Sequence, residues 1–162
     1  MRPAIKKLKE QYLLNNKNKY PTLPDYARFV PAYTDKNTNG LTKCVIDFLK
    51  LNHCFVERTG NEGRIIDNRK QVTDILGNIR TIGTIKRVYS TSKRGTSDLK
   101  AIINGKFVAV EIKCLTTNDR QSEEQKKYQK EVEQSGGIYL IVPTFEFFYN
   151  WFIEYRKGAN HE

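Results

Sequence analysis

Asn104-Gly105 constrains this chain more than any other pair of residues, because it stands between two β-rich runs, DLKAII at 98–103 and KFVAVEIKC at 106–114. Asn-Gly accepts the positive φ angles of a type I′ turn, whose twist matches that of the strands it joins. A two-residue loop also fixes register. Ile103 lies opposite Lys106 and, counting back, Asp98 lies opposite Glu111. Side chains alternate along a strand, so Val108, Val110 and Ile112 share one face, and Ala109, Glu111 and Lys113 share the other.

Two carboxylates facing each other repel unless a proton or a cation lies between them. A hard divalent ion meets that demand: magnesium takes carboxylate oxygens and keeps open positions for water and a phosphate oxygen. An ammonium next to such a site, here Lys113, can orient or help deprotonate the attacking water and offset charge in the transition state. Asp98, Glu111 and Lys113 therefore suit metal-assisted phosphodiester hydrolysis. The tripeptide Glu-x-Lys is weak evidence by itself. Eleven Glu and eighteen Lys predict roughly one copy by chance, and Glu124-Gln125-Lys126 is a second. The plain alternative is an exposed strand face carrying a weak charge pair.

Composition adds to the balance. The chain has 162 residues, enough for one packed core, and its 28 Lys plus Arg against 18 Asp plus Glu leave a net charge of +10. With 38% hydrophobic residues it can bury a core, and a pI near 9.5 points to a polyanionic partner, nucleic acid before an anionic membrane face. No apolar run is long enough to span a bilayer, and MRPAIKKLKEQY lacks the apolar stretch and cleavage site of a secretion signal. Cys44, Cys54 and Cys114 are odd in number and form no zinc-type cluster, which fits a reducing cytoplasm and small buried side chains.

Along the chain, residues 1–40 read as an N-terminal extension: a short helix around Leu8, Leu13 and Leu14, then an irregular arm broken by Pro21, Pro24 and Pro31 and the polar TDKNTNG at 34–40. Residues 41–51 have helical apolar spacing, and HCFVE at 53–57 reads as a strand. Residues 64–94 carry Lys and Arg among Ile, Val, Tyr and Thr, with Gly77-Asn78 and Gly83 as turns, the pattern of a basic β-hairpin or extended arm. Ser122-Glu123-Glu124-Gln125 has capping-box form and starts a helix ending at Gly136-Gly137. Gln125, Tyr128 and Val132 form its only dockable stripe, so Gln125 faces inward, either as cap or beside the metal site. IYLIV at 138–142 reads as a strand buried on both faces. The last helix carries a broad aromatic arc from Phe145 to Tyr155, which serves the core and leaves room for a homodimer contact.

Gly95-Thr96-Ser97-Asp98, Val110-Glu111-Ile112-Lys113 and Ser122-Glu123-Glu124-Gln125 together resemble the PD-(D/E)XK nuclease superfamily, nearest its virus-type replication-repair (VRR-NUC) branch. The resemblance runs from about Leu41 to Phe152 and, with Tyr155 and Arg156 closing the last helix, implies a nuclease domain over 41–156. It implies an α/β restriction-endonuclease-like fold with a mixed central β-sheet flanked by helices, to which the N-terminal extension and the basic β insertion are added. It also implies that Asp98, Glu111 and the backbone carbonyl of Ile112 ligate Mg2+ or Mn2+, that Lys113 is the catalytic lysine, that Gln125 is the family glutamine, and that Asn61 borders the site. The pattern departs in two places. Ser97 stands where proline is usual, and Thr38-Asn39-Gly40-Leu41-Thr42 lacks the acidic residue common early in the first helix, Asp47 lying too late to replace it. One tightly held ion is therefore the expectation.

For nucleic-acid contact the candidates are Asn61, Arg64, Lys70, Arg87, Lys93 and Arg94, with Lys126 and Lys127 on the following helix. The expected activity is that of a structure-selective DNA endonuclease acting on junctions, flaps or ends in replication, repair or recombination. The alternative is a non-catalytic DNA-binding module on the same fold. An RNA-cleaving toxin is weaker, since His53 and His161 form no catalytic pair.

Overall fold

A computed structural model describes residues 2–60, 64–88, 93–116 and 120–158. Its centre is a four-stranded mixed sheet of β1 (Phe55–Arg58), β6 (Leu99–Ile103), β7 (Lys106–Ile112) and β8 (Ile138–Val142), in the order β1-β6-β7-β8. β1, β6 and β7 run antiparallel, and β8 joins β7 in parallel. The hairpin register is the one its turn dictates, from Ile103 opposite Lys106 to Leu99 opposite Val110, with Asn104 and Gly105 at φ 49° and 74°.

Helices cover both faces. On one side α1 (Pro3–Lys19), α2 (Thr38–Leu51) and α4 (Phe145–Gly158) enclose the main core, in which Leu8, Leu41, Val45, Phe48, Val108, Val110, Phe145, Phe148 and Phe152 are buried. On the other, α3 (Glu123–Gln134) lays Val132 and Tyr128 over Ala109 and Tyr139. The capping box forms as its sequence indicates, Ser122 and Gln125 satisfying each other's backbone N–H groups.

Several elements differ from the sequence reading. The N-terminal helix is 17 residues long and supplies Ala4, Ile5 and Leu8 to the core. Its start is pinned by Arg2, whose guanidinium lies 2.5 Å from the buried Asp35 carboxylate. That carboxylate also accepts the Phe145 N–H at the head of α4. α2 starts earlier than its apolar spacing suggests, because Asn37 caps it by accepting the Gly40 N–H at 2.7 Å. His53 belongs to no strand: it is exposed at φ 58° in the turn that ends α2, and β1 begins at Phe55. β8 is an edge strand with Ile141 38% exposed, so its outer face is only partly covered. Tyr149 on α4 meets α1 through Lys7, whose Nζ is 5.1 Å from the ring centroid, which accounts for part of the broad aromatic arc.

Residues 64–88 form a separate ribbon: β2 (Arg64–Asp67) pairs antiparallel with β5 (Ile85–Val88), and β3 (Lys70–Thr73) with β4 (Ile79–Ile82). Every residue of these four strands is exposed. The ladders are interrupted at Gly83, where φ is +99° and a Cβ would lie 2.3 Å from the Asn68 carbonyl oxygen.

Candidate metal and catalytic site

The site forms where β1, β6 and β7 end together. The β1–β6 ladder closes with Arg58 opposite Leu99, and the next residue, Thr59, donates its N–H to the Asp98 carbonyl at 2.9 Å. Continued by one step, both registers place Thr59, Asp98 and Glu111 in one rung across three strands, on the face covered by α3. The Asp98 carboxylate accepts the Ile112 N–H at 2.9 Å. In an antiparallel ladder a residue's N–H and C=O leave on the same side. The Ile112 carbonyl therefore leaves β7 toward Asp98.

Glu111 is 2% exposed, which removes the exposed-strand-face alternative for it. Its Oε1 lies 3.3 Å from the Lys113 ammonium and accepts from Gln125 Nε2 at 2.5 Å. Its Oε2 accepts from the Tyr139 hydroxyl at 3.4 Å. Burial, followed by the negative charge of Asp98, pushes the Glu111 carboxyl above its ordinary range, and Lys113 pulls the other way. Burial and the Glu111 charge likewise raise the Tyr139 phenol, which stays protonated and able to donate.

Gln125 caps the helix and also reaches Glu111. Its Oε1 accepts the Ser122 N–H at 2.9 Å as part of the cap, while its Nε2 reaches Glu111. The loop into Asp98 packs directly on this helix start. Gly95 has φ +77°, and a Cβ there would lie 2.4 Å from the Glu124 carbonyl carbon and oxygen. Glycine is needed for both reasons. Ser97 is buried and fixes the same loop by donating to the Leu99 carbonyl at 2.9 Å.

Asp98, Glu111, Ile112, Lys113 and Gln125 thus meet in one place. The basic candidates disperse. Arg64, Lys70 and Arg87 lie along the ribbon, and Arg94 and Lys127 are exposed. Lys93 pairs with Glu131, and Lys126 pairs with Glu123 at 2.7 Å. Asn61 and His161 lie outside the described residues. Asp47 is committed elsewhere, accepting from Tyr33 and Lys43 at 2.9 Å each, and the first turn of α2 has no acid.

The residues fit one hard cation. The donors gathered here are two carboxylates and a carbonyl, all oxygen. The buried Thr59 hydroxyl, on the same rung, has no hydrogen-bond partner among the described residues. No group of three or more His, Cys, Asp or Glu side chains suited to a metal occurs among the described residues, so a bound ion would take its remaining ligands from backbone, water or phosphate. Sequence reasoning missed Tyr139, whose signal was a lone hydroxyl in an aliphatic strand that needs a partner once buried. It also missed Thr59, whose place follows from a β1 register that the sequence does not encode locally.

The cysteines serve packing. Cys44 and Cys114 are buried, Cys54 is half-buried, and burial pushes the Cys44 thiol up to about 12. No protein-family model matches the chain, and a search of curated proteins returns no match. Among the described residues no helix is long and apolar enough to cross a membrane.

Proposed function

We propose that this chain is a divalent-metal-dependent DNA endonuclease on a restriction-endonuclease-like fold, with Asp98, Glu111 and the Ile112 carbonyl holding one Mg2+ or Mn2+. The observation that carries this reading is the Asp98–Glu111 rung, with a carboxylate raised first by burial and then by its neighbour, and an ammonium 3.3 Å away. A bound ion would polarise the scissile phosphate and acidify a water.

The chain's own residues do the rest. Lys113 is 12% exposed at the end of the rung, where it orients the attacking water and offsets charge gathering on the phosphate. Gln125 and Tyr139 are positioning residues: by donating to opposite oxygens of Glu111 they fix its carboxylate plane. The ribbon and the exposed Arg94 and Lys127 supply phosphate contacts without base readout, which suits branched or ended DNA over a long sequence.

Incubating supercoiled, flapped and four-way-junction DNA with the chain, with and without Mg2+ or Mn2+, tests the proposal. Metal-dependent cleavage lost in Asp98→Ala and Lys113→Ala, with binding retained, supports it; inactivity on every substrate overturns it. The acid-free first turn of α2 favours one second reading, a DNA-binding module without catalysis, which predicts binding and no metal-dependent cleavage by the wild type.

A further inference from the structure

The ribbon ends in an apex that its own fold does not require. Asp74 builds the turn: its N–H bonds the Asn78 carbonyl at 2.9 Å, its carbonyl accepts the Gly77 N–H at 3.0 Å, and its carboxylate accepts the Leu76 and Asn78 N–H groups at 2.9 Å each. Gly77 takes φ +82°. Hairpin apices ordinarily carry Gly, Asn, Asp, Ser or Pro. Here the two residues held out by Asp74 are Ile75 and Leu76, 103% and 82% exposed.

Below the apex, cations and aliphatics are interleaved. Arg80 faces Val72, Lys70 faces Ile82, Lys86 faces Ile66, Arg87 faces Ile65 and Arg64 faces Val88. Residues 64–88 carry six Lys or Arg against two Asp and no aromatic residue. The chain leaves the central sheet at Thr59, bonded to Asp98, and re-enters through Lys93 and Gly95 to Asp98 again. The chain on either side of the ribbon, at Thr59 and at Asp98, is thus part of the candidate site.

We propose that this ribbon grips duplex nucleic acid along a groove and that Ile75 and Leu76 wedge into the base stack, unstacking one step. A two-stranded ribbon is a size that a duplex groove admits, and aliphatic wedges flanked by cations are the usual means of prising a step open. Single strands are held by aromatic stacking, for which the ribbon has no side chain. A membrane surface calls for aliphatics sorted onto one face, whereas neither face of either ladder holds aliphatics alone. From Thr59 to Ile75 the chain spans no more than about 53 Å, roughly one and a half duplex turns. The unstacked step therefore lies within about sixteen base pairs of the phosphodiester presented to Asp98 and Glu111. That last placement rests on the nuclease reading; the wedge itself does not.

The test uses the full chain with duplexes carrying 2-aminopurine at successive positions, in EDTA, beside I75S/L76S and a parallel cleavage assay in Mg2+. Wild-type binding should raise 2-aminopurine fluorescence about threefold or more at one position. I75S/L76S, with its cations and fold intact by melting temperature, should bind within about threefold of wild type and leave the signal flat. A flat signal with bound wild type, or a rise retained in I75S/L76S, overturns the wedge, as does failure to bind duplex. So does loss of binding to phosphatidylserine vesicles, or of self-association by sedimentation, as the sole consequence of I75S/L76S. Unstacking without cleavage keeps the wedge and removes the nuclease; cleavage with a flat signal does the reverse.

Discussion

Among the described residues, two antiparallel ribbons share the same grammar, a regular register closed by a glycine-bearing turn, with opposite fates. β6–β7 is buried over most of its length, with only Ile102, Lys106 and Phe107 near the turn exposed among its strand residues, and even its acid, Glu111, is 2% exposed. The β2–β5 ribbon is exposed at every strand position. The difference lies in what each rung contains. In β6–β7, Leu99 meets Val110 and Ala101 meets Val108, so a helix layer can dock without stranding a charge. In the ribbon five of the eight rungs set an aliphatic against a cation, and no helix could cover it without desolvating ammonium and guanidinium groups. Burial brings the carboxylates of the first hairpin together; exposure leaves the cations of the second facing solvent.

Substitution should separate the two hairpins most sharply in function. Asp98→Ala should lower metal-dependent cleavage by about a thousandfold or more while leaving DNA affinity nearly unchanged, as read by plasmid nicking and by anisotropy. Lys86→Ala with Arg87→Ala should do the opposite, weakening binding and reducing the slope of log K against log salt by about two, with little change in single-turnover rate at saturation. Equal losses of rate and affinity in both variants would erase the contrast.

Stability should follow the same division. Leu99→Ala, at 0% exposure, should cost about 2–5 kcal/mol in urea unfolding, whereas Ile79→Ala on the ribbon, 69% exposed, should stay within about 0.5 kcal/mol. Gly95→Ala sits at the junction of the two regions. Its left-handed φ and the 2.4 Å approach to the Glu124 carbonyl should make it cost about 2 kcal/mol, and by displacing the helix start it should lower cleavage through Gln125. An unaffected melting curve would mean that the loop relaxes freely.

What the sequence revealed and what it hid follow the same line. Asn104-Gly105 and Ser122 to Gln125 act locally, so the hairpin register, the capping box and the opposition of Asp98 to Glu111 were legible. The partners that bury Glu111 were not. Tyr139 comes from a parallel strand 28 residues away, and Thr59 joins the rung only once β1 has paired with β6. The placement of α1 was hidden because Asp35, which looks like loop polarity, is the buried anchor for both Arg2 and the start of α4. His53 misled because an aromatic ring beside Cys54 and Phe55 suggests a strand, although φ 58° makes it a turn.

The smallest expected effect is one of sign, and it sets the two regions against each other in acid. Glu111 is held above its ordinary range by burial and by Asp98, so its contribution to stability is fully present at low pH and is lost as pH rises through its folded-state value. Glu111→Gln keeps an acceptor for Gln125, turns an NH2 donor toward the Tyr139 hydroxyl, and cannot ionise. In metal-free buffer its melting temperature should therefore gain on the wild type between about pH 5 and pH 8, and the gap should close toward pH 4. Mg2+ should close it from the other side, stabilising only the wild type, and more so at higher pH because proton and metal compete for one carboxylate. On the ribbon, Asp67 is held below the ordinary range by Arg69, and Asp74 by the Asn78 N–H. Their contribution is present above the ordinary carboxylate range and is lost as pH falls through their lowered values. Protection of the Leu76 and Asn78 amides, measured by hydrogen exchange and corrected for intrinsic rate, should accordingly fall below about pH 4 while the rung at Glu111 tightens. Acid that loosened both regions together would show that Glu111 is held as an ordinary ion pair with Lys113, and the case for a cation between the two carboxylates would go with it.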